Sequence, residues 1–325
     1  MKKIKPIAMV VGEPYSTFSE IFFKVRKMKF FKKFSKPIIL IGSSELIHKQ
    51  MKKLGFNYEI NIIKKNLSGL NKITNKKINI INVDFVFKKP FDKISDNSNL
   101  YLEKCFTIAI NLIKKKVCDT LINGPISKKN FLKEKFLGIT EYLASKTNKK
   151  GKVVMLIYNK YLSVSPITTH LPLKNVHKNL NKTKIINHIK IIDSFYKMKF
   201  NKKPKIAITG LNPHCESNYM SSEENRIIRP AIKSLIKQKF KIKGPFPADT
   251  IFLKEQSKQY DVIVGMYHDQ VLAPFKALFN FNAINITLGL PFIRISPDHG
   301  PNSSMLGKNI SDPQSLIEAF NFLKK

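Results

Sequence analysis

Apolar residues along the 325-residue chain gather in short runs of strand character at 7–11, 37–41, 120–122, 153–156, 162–168, 205–209, 261–266 and 283–287. Between several of these runs lie longer stretches whose apolar positions recur at helical spacing, clearest at 99–115, 182–198 and 223–239. Strands alternating with helix-length segments predict an α/β protein built largely of crossover units. No internal repeat, Pro/Gly/Ser linker or low-complexity tail interrupts the pattern, so any two domains are joined by chain that is itself structured. The polar stretch 64–77, rich in Lys and Asn, reads as an exposed loop or a weak element. The first residues, with lysines and a small apolar patch, look like a secretory leader, but Gly12-Glu13-Pro14 interrupts them and the segment reads as a first strand. No run reaches the ~18 uninterrupted apolar residues that a membrane span needs.

A 43% hydrophobic content is ordinary for a globular protein with one large or two medium domains. The net charge of +36 suggests a nucleic-acid binder, yet 54 of the 58 basic residues are Lys and they are spread from end to end. Nucleic-acid sites gather Arg forks and aromatic rings on one face, so the charge is read as a solvated surface and nucleic acid is not the expected partner. Against this background the four arginines stand out. Arg294 marks a place that needs a planar, bidentate donor, either for a substrate carboxylate or phosphate or for a structural ion pair. Cys105, Cys118 and Cys215 lack the paired spacing of a zinc ribbon or redox motif and fit buried thiols in a reducing cytosol.

Three histidines share a context, since His170, His214 and His268 each sit just past a strand-like run. Ligands of open α/β sheets bind at the carboxyl ends of strands, so three imidazoles delivered there can meet at one divalent metal; the alternative is three separate loop histidines bonded to backbone. His48, His177 and His188 lie in Lys-rich surroundings and are expected to be solvated. Asp249 follows a Pro-rich turn and Asp269 adjoins a proposed ligand, so each is a candidate to accept a proton or orient an imidazole, with a cap or surface role as the alternative.

Around these residues the local strings become specific. Ile122-Asn-Gly-Pro-Ile-Ser-Lys128, Thr168-Thr-His-Leu-Pro-Leu173, Leu211-Asn-Pro-His214, Gly244-Pro-Phe-Pro-Ala-Asp-Thr250, Met266-Tyr-His-Asp-Gln270 and Asn285-Ile-Thr-Leu-Gly-Leu-Pro-Phe-Ile-Arg294 follow one another in the order found in the 4-hydroxythreonine-4-phosphate dehydrogenase (PdxA) family, which the chain therefore resembles. The resemblance is densest from Asn123 to Gly307. It implies the isocitrate/isopropylmalate dehydrogenase-like fold, two α/β domains with a cleft between them. The expected boundaries are a discontinuous cofactor-side domain of 1–131 plus 277–325, and a domain of 132–276 carrying the metal-ligand histidines and dimer contacts. It further implies a cytoplasmic homodimer with a shared active site and NAD-dependent oxidation of 4-phosphohydroxy-L-threonine. Decarboxylation to 3-amino-2-oxopropyl phosphate, a step of vitamin B6 biosynthesis, would follow. By motif, His170, His214 and His268 look like ligands of a divalent metal, zinc foremost with Mg, Mn or Co open. Thr140, Lys276, Asn285 and Arg294 look like substrate contacts, and Lys276, Asp249 and Asp269 like the catalytic candidates. No Gly-x-Gly-x-x-Gly follows a strand, so NAD, or NADP, is implied by the family alone. Its adenosine end would rest on the loop holding His299, Gly300 and Gly307.

Three departures bear on function. Gly138-Ile-Thr-Glu141 has Ile139 where the family's pattern carries a histidine, Tyr15-Ser-Thr-Phe18 replaces small glycines after Gly12-Glu13-Pro14, and Cys215-Glu-Ser-Asn-Tyr-Met220 lacks glycines too. They keep two rivals open: a dehydrogenase for a related phosphorylated hydroxy acid such as a four-carbon sugar-acid phosphate, and a non-catalytic metal-binding descendant.

Overall fold

A computed structural model describes residues 4–324 apart from 65–66, 68–69, 71–72, 128–130, 133–135, 137, 216–219 and 298–299. Strands among the described residues are, in chain order, β1 (Ile7–Val10), β2 (Ile38–Gly42), β3 (Ile60–Ile62), β4 (Ile78–Asn82), β5 (Thr120–Asn123), β6 (Val154–Tyr158), β7 (Ser163–Thr168), β8 (Ile206–Thr209), β9 (Ile242–Phe246), β10 (Val262–Tyr267), β11 (Ile284–Leu288) and β12 (Ile293–Pro297). Each apolar run predicted as a strand is one. Of the four strands not predicted, β3, β4, β9 and β12, two show why. β9 contains Gly244-Pro245, and a proline that donates no ladder hydrogen bond is tolerated because β9 pairs only with β8, at an edge. β4 adjoins the polar stretch 64–77, six of whose residues lie outside those described.

The chain divides into two compact units, residues 1–139 with 291–325, and residues 140–290. In the first, the strands run β3-β4-β2-β1-β5-β12, every pair parallel. β1, β2 and β5 are buried on both faces, which explains why they read as continuous apolar runs with no alternation. In the second unit the order is β11-β6-β7-β10-β8-β9, antiparallel from β11 through β7 and parallel from β7 to β9. Its core packs Val164, Ala207, Ile263, Val271 and Phe275 together. Four parallel strands therefore end at one edge of this sheet, and the segments that leave that edge carry His170, His214, Asp249 and His268. No described helix is long and apolar enough to cross a membrane.

The helix Lys182–Phe200 starts where the Asn181 side chain caps the Lys184 N–H and stops at Asn201 in the left-handed region. Its inner face, Ile185, Ile189 and Ile192, takes His188 with it, and this corrects the expectation that His188 is solvated; His48 and His177 are exposed as expected. The Lys-rich flanks misled because His188 falls one turn from Ile185 and Ile192 on the apolar stripe. Ser165 Oγ donates to Met155 O at 2.6 Å, so His188 Nε2, 2.7 Å from the same oxygen, carries the proton and donates to it. Burial, with the Lys184 charge as a lesser cause, pushes this imidazole down from 6.5 to about 3.

That shift has a sign. The unfolded chain binds a proton at His188 below about pH 6.5 and the folded chain does not until about pH 3, so stability intact above pH 6.5 is lost as pH falls through this window. Between pH 6.5 and 5 the loss from this residue is about 2 kcal/mol. Urea unfolding at the two pH values is expected to show a His188→Gln variant lacking that increment; an equal loss in both proteins would contradict it.

Candidate functional site

The site is built on the carboxyl edge of β7, β10, β8 and β9. His170 lies two residues beyond β7, and His268 follows β10 directly as the first residue of the helix His268–Phe279. Their rings stand with centroids 5.6 Å apart, tilted 38°. His268 Nδ1 lies 2.7 Å from Asp269 Oδ1. A carboxylate oxygen accepts, so Nδ1 is the donor, and in the neutral ring the lone pair is on Nε2, the arrangement in which an imidazole serves as a metal ligand. The Asp269 side chain is 83% exposed and that of His268 32%, so the pair stands at the surface of its unit.

His214 comes from a different kind of turn. The chain leaves β8 at Thr209, and by His214 the backbone is left-handed (φ 59°, ψ 0°), as is Cys215 (φ 56°). His214 is exposed. The structure thus brings His170 and His268 together, and among the described residues of one chain no set of three or more His, Cys, Asp and Glu forms a metal-binding group. Asp249 is exposed on the turn after β9, near enough to Cys215 for its charge to act on that thiol.

Buried polar residues tie these loops to one another. Thr168 Oγ1 donates to Met266 O at 2.7 Å, joining the ends of β7 and β10. Gln270 joins β10 to β8: its Oε1 accepts from Met266 N (2.7 Å) and Thr209 Oγ1 (2.9 Å), and its Nε2 donates to Gly210 O (2.8 Å). Glu224, 1% exposed, accepts at Oε1 from Leu211 N (2.7 Å) and Asn212 N (2.9 Å) and at Oε2 from Asn212 Nδ2 (2.8 Å). Burial works to raise its pKa, but the bonds from Asn212 and Leu211 outweigh burial and hold the carboxyl below its ordinary value. Neither Gln270 nor Glu224 announces itself in sequence. Gln270 does follow Met266-Tyr-His-Asp by one residue, while Glu224 reads as the polar start of a helix.

The other predicted contacts divide between the units. In the second, Thr140 Oγ1 meets Thr287 Oγ1 at 3.2 Å, and Asn285 shares the same face of β11 as Thr287, two residues away. Asn285 Oδ1 is buried with no hydrogen-bond partner among the described residues, an acceptor waiting for a donor. Lys276 Nζ lies 4.8 Å from the Phe281 ring centroid. In the first unit Arg294 is wholly buried, its Nε donating to Asn123 Oδ1 at 2.9 Å, while Asn123 Nδ2 bonds Gly124 O. Gly307 (φ +72°) needs glycine, since a Cβ would come 2.9 Å from the Phe91 ring; Gly300 is exposed with open space where a Cβ would go, and His299 lies outside the described residues.

At the amino-terminal motif, Gly12 (φ +85°) passes so close to the next loop that a Cβ would lie 2.5 Å from Pro125 O. Glu13 then accepts from Ser127 N at 3.0 Å, and burial pushes its carboxyl up against the lowering bonds from Ser127 and Ser98. Tyr15 and Phe18, which stand where glycines were expected, are buried and fill that space, with Phe18 beneath Gly124.

Residues 33–323 match the family model described as "Pyridoxal phosphate biosynthetic protein PdxA". A 4-hydroxythreonine-4-phosphate dehydrogenase of Sulfurihydrogenibium sp. (strain YO3AOP1) is 39% identical over 320 residues, covering 96% of this chain and 95% of that protein. Among solved structures, 4-hydroxythreonine-4-phosphate dehydrogenase from Klebsiella pneumoniae superposes with a TM-score of 0.82 at 27% identity, over 98% of each chain. For the fold alone, isocitrate dehydrogenase from Methylococcus capsulatus aligns with a TM-score of 0.50 at 9% identity over 98% of this chain and 85% of that one.

Proposed function

Because the chain belongs to the PdxA family of pyridoxal phosphate biosynthetic proteins, we propose that it is the dehydrogenase that oxidises 4-phosphohydroxy-L-threonine and releases 3-amino-2-oxopropyl phosphate. The observation that carries the reading is likeness across essentially the whole chain, 39% identity over 96% of its length, to a relative named for that activity. The isocitrate/isopropylmalate dehydrogenase-like fold agrees with it.

The residues at the β7 and β10 ends fit a divalent metal. Two imidazoles with centroids 5.6 Å apart, one with its Nδ1 held by Asp269, form a donor set that suits zinc and other first-row metals. Such a cation would lower the pKa of the substrate hydroxyl. Because no three such residues meet among the described residues of one chain, His214, exposed at the same strand edge, would supply the third imidazole from the second copy of a homodimer with a shared active site. Asp269 is committed to His268, which leaves Asp249 as the residue to accept the hydroxyl proton. Asn285 Oδ1 offers a buried acceptor to a substrate N–H or O–H, and Thr140 lines the face beside it. Lys276 and Arg294 match the substrate's phosphate and carboxylate. A bound NAD, or NADP, would accept the hydride and leave a β-keto acid. Its bond to the carboxylate would then break with loss of carbon dioxide, the Lys276 ammonium stabilising the enolate, and a proton delivered to carbon from that ammonium or from water would complete the ketone. Gly300 and Gly307 are assigned to the adenosine end of the cofactor. Buried thiols at Cys105, Cys118 and Cys215 support a cytosolic setting.

A second reading, oxidation of a four-carbon sugar-acid phosphate, is favoured by one observation: Ile139, beside Thr140, has no hydrogen-bonding group where the family's pattern places an imidazole. Purified protein with NAD and 4-phosphohydroxy-L-threonine is expected to generate reduced cofactor and to stop on addition of a chelator. Turnover confined to another phosphorylated hydroxy acid would replace the first substrate by the second, and inactivity on all of them with metal bound would leave the non-catalytic descendant.

A further inference from the structure

We propose that Glu224 is a positioning residue for His214, an inference that rests on His214 being a metal ligand. The turn from Leu211 to Cys215 has one long backbone bond of its own, Cys215 N donating to Asn212 O at 3.3 Å. Its last two residues, neither of them glycine, are in the left-handed region, which L-residues hold only when their surroundings impose it. The entry to the turn is held by one carboxylate. Two consecutive backbone N–H groups, those of Leu211 and Asn212, converge on Oε1, and the Asn212 side chain donates to Oε2. Consecutive N–H groups aimed at one point form an anion cradle, and Glu224 fills it from the π-helical turn Glu224–Ile228.

The fit is close. A Cβ on Gly210 would lie 3.0 Å from Glu224 Oε1 and 2.5 Å from Cys215 Sγ, so the carboxylate and the far end of the turn press on the same glycine. Arg229, five residues after Glu224, donates from Nη2 to Cys215 O at 3.1 Å and holds the exit of the turn. His214 is therefore gripped from both sides by one stretch of chain. The charge matters as well as the shape. Glutamine at 224 would turn an amide N–H₂ toward Asn212 Nδ2. Asn212 cannot flip to accommodate it, because its Nδ2 also donates to Glu223 Oε2 at 2.9 Å and a flipped Oδ1 would face that carboxylate.

Full-length protein stripped with a chelator and titrated with Co²⁺ tests this, reading both the dissociation constant and the visible absorption of the bound ion. Measurements belong well below the melting temperature of each variant. Glu224→Gln is expected to weaken Co²⁺ binding about 10- to 100-fold, with an altered spectrum. Asn212→Ala, which keeps both backbone donors, is expected to weaken it less, and it carries the test if Glu224→Gln does not fold. Unchanged affinity and spectrum in Glu224→Gln, or in Asn212→Ala where only that variant folds, would reduce Glu224 to a structural tie and overturn the proposal. His214→Ala separates the two inferences. If it weakens binding while Glu224→Gln does not, the metal assignment stands and the positioning role fails. If His214→Ala leaves binding unchanged, His214 is no ligand and both fail.

Discussion

Replacing His268 with alanine is expected to lower kcat/KM by roughly 10³-fold or more, because a cation that stabilises developing charge is worth several kcal/mol and each ~1.4 kcal/mol is a factor of ten. His268 is held at both its backbone and its ring. It opens the helix His268–Phe279 directly at the end of β10, its Nδ1 is held by Asp269, and its ring faces that of His170. Removing the ring deletes one donor and leaves Asp269 without its imidazole, while the Met266–Gln270 bond and the β10 core are untouched. The fold should survive, so circular dichroism should match the parent protein while metal content falls. Asp269→Asn keeps the ring but weakens its orientation, and a smaller loss, about 10- to 100-fold, is expected. A His268→Ala protein that kept both its metal and its turnover would remove this residue from the site.

How far the sequence could be read depends on which physical signal each residue carries. The strand-end histidines were legible because a run of apolar residues followed at once by a polar string marks the exit of a buried parallel strand, as at Val262–Tyr267 before His268. That β7, β10, β8 and β9 leave by one edge was not legible, since strand order is a property of long-range pairing. Glu224 was invisible for the same reason, and Gln270, although it closes the string Met266-Tyr-His-Asp-Gln270, gave no sign of its role: a buried carboxylate or amide that bonds backbone twelve or sixty residues away cannot be read from its neighbours. His188 failed in the opposite sense, its Lys-rich neighbours hiding an apolar face. Two of the rare arginines serve the protein's own backbone. Arg26 donates from Nη2 to the Asn75 and Lys76 carbonyls while stacked 4.9 Å from Tyr58, and Arg229 Nη2 holds Cys215 O, so the guanidinium also serves backbone, with a planar face that lysine lacks.

Arg294 can combine both uses, and its variants should separate them. It is wholly buried on β12 and donates from Nε to Asn123 Oδ1, so Arg294→Met leaves that buried amide oxygen unsatisfied and empties a polar site. A loss of about 2 kcal/mol in folding stability is expected, in the range for leaving a buried acceptor without its charged donor, and urea unfolding without substrate measures it. Arg294→Lys keeps the charge but moves the donor to the end of a flexible stem, with nothing at the Nε position to meet Asn123. It should recover part of the stability and still fail at a task needing two parallel N–H bonds. If the guanidinium holds the substrate's phosphate or carboxylate, KM for Arg294→Lys should rise at least about tenfold with kcat less affected, because the contact serves ground state and transition state alike. An unchanged KM in a folded Arg294→Lys protein would confine this arginine to bracing Asn123 and leave Lys276 as the residue that meets the substrate's negative charge.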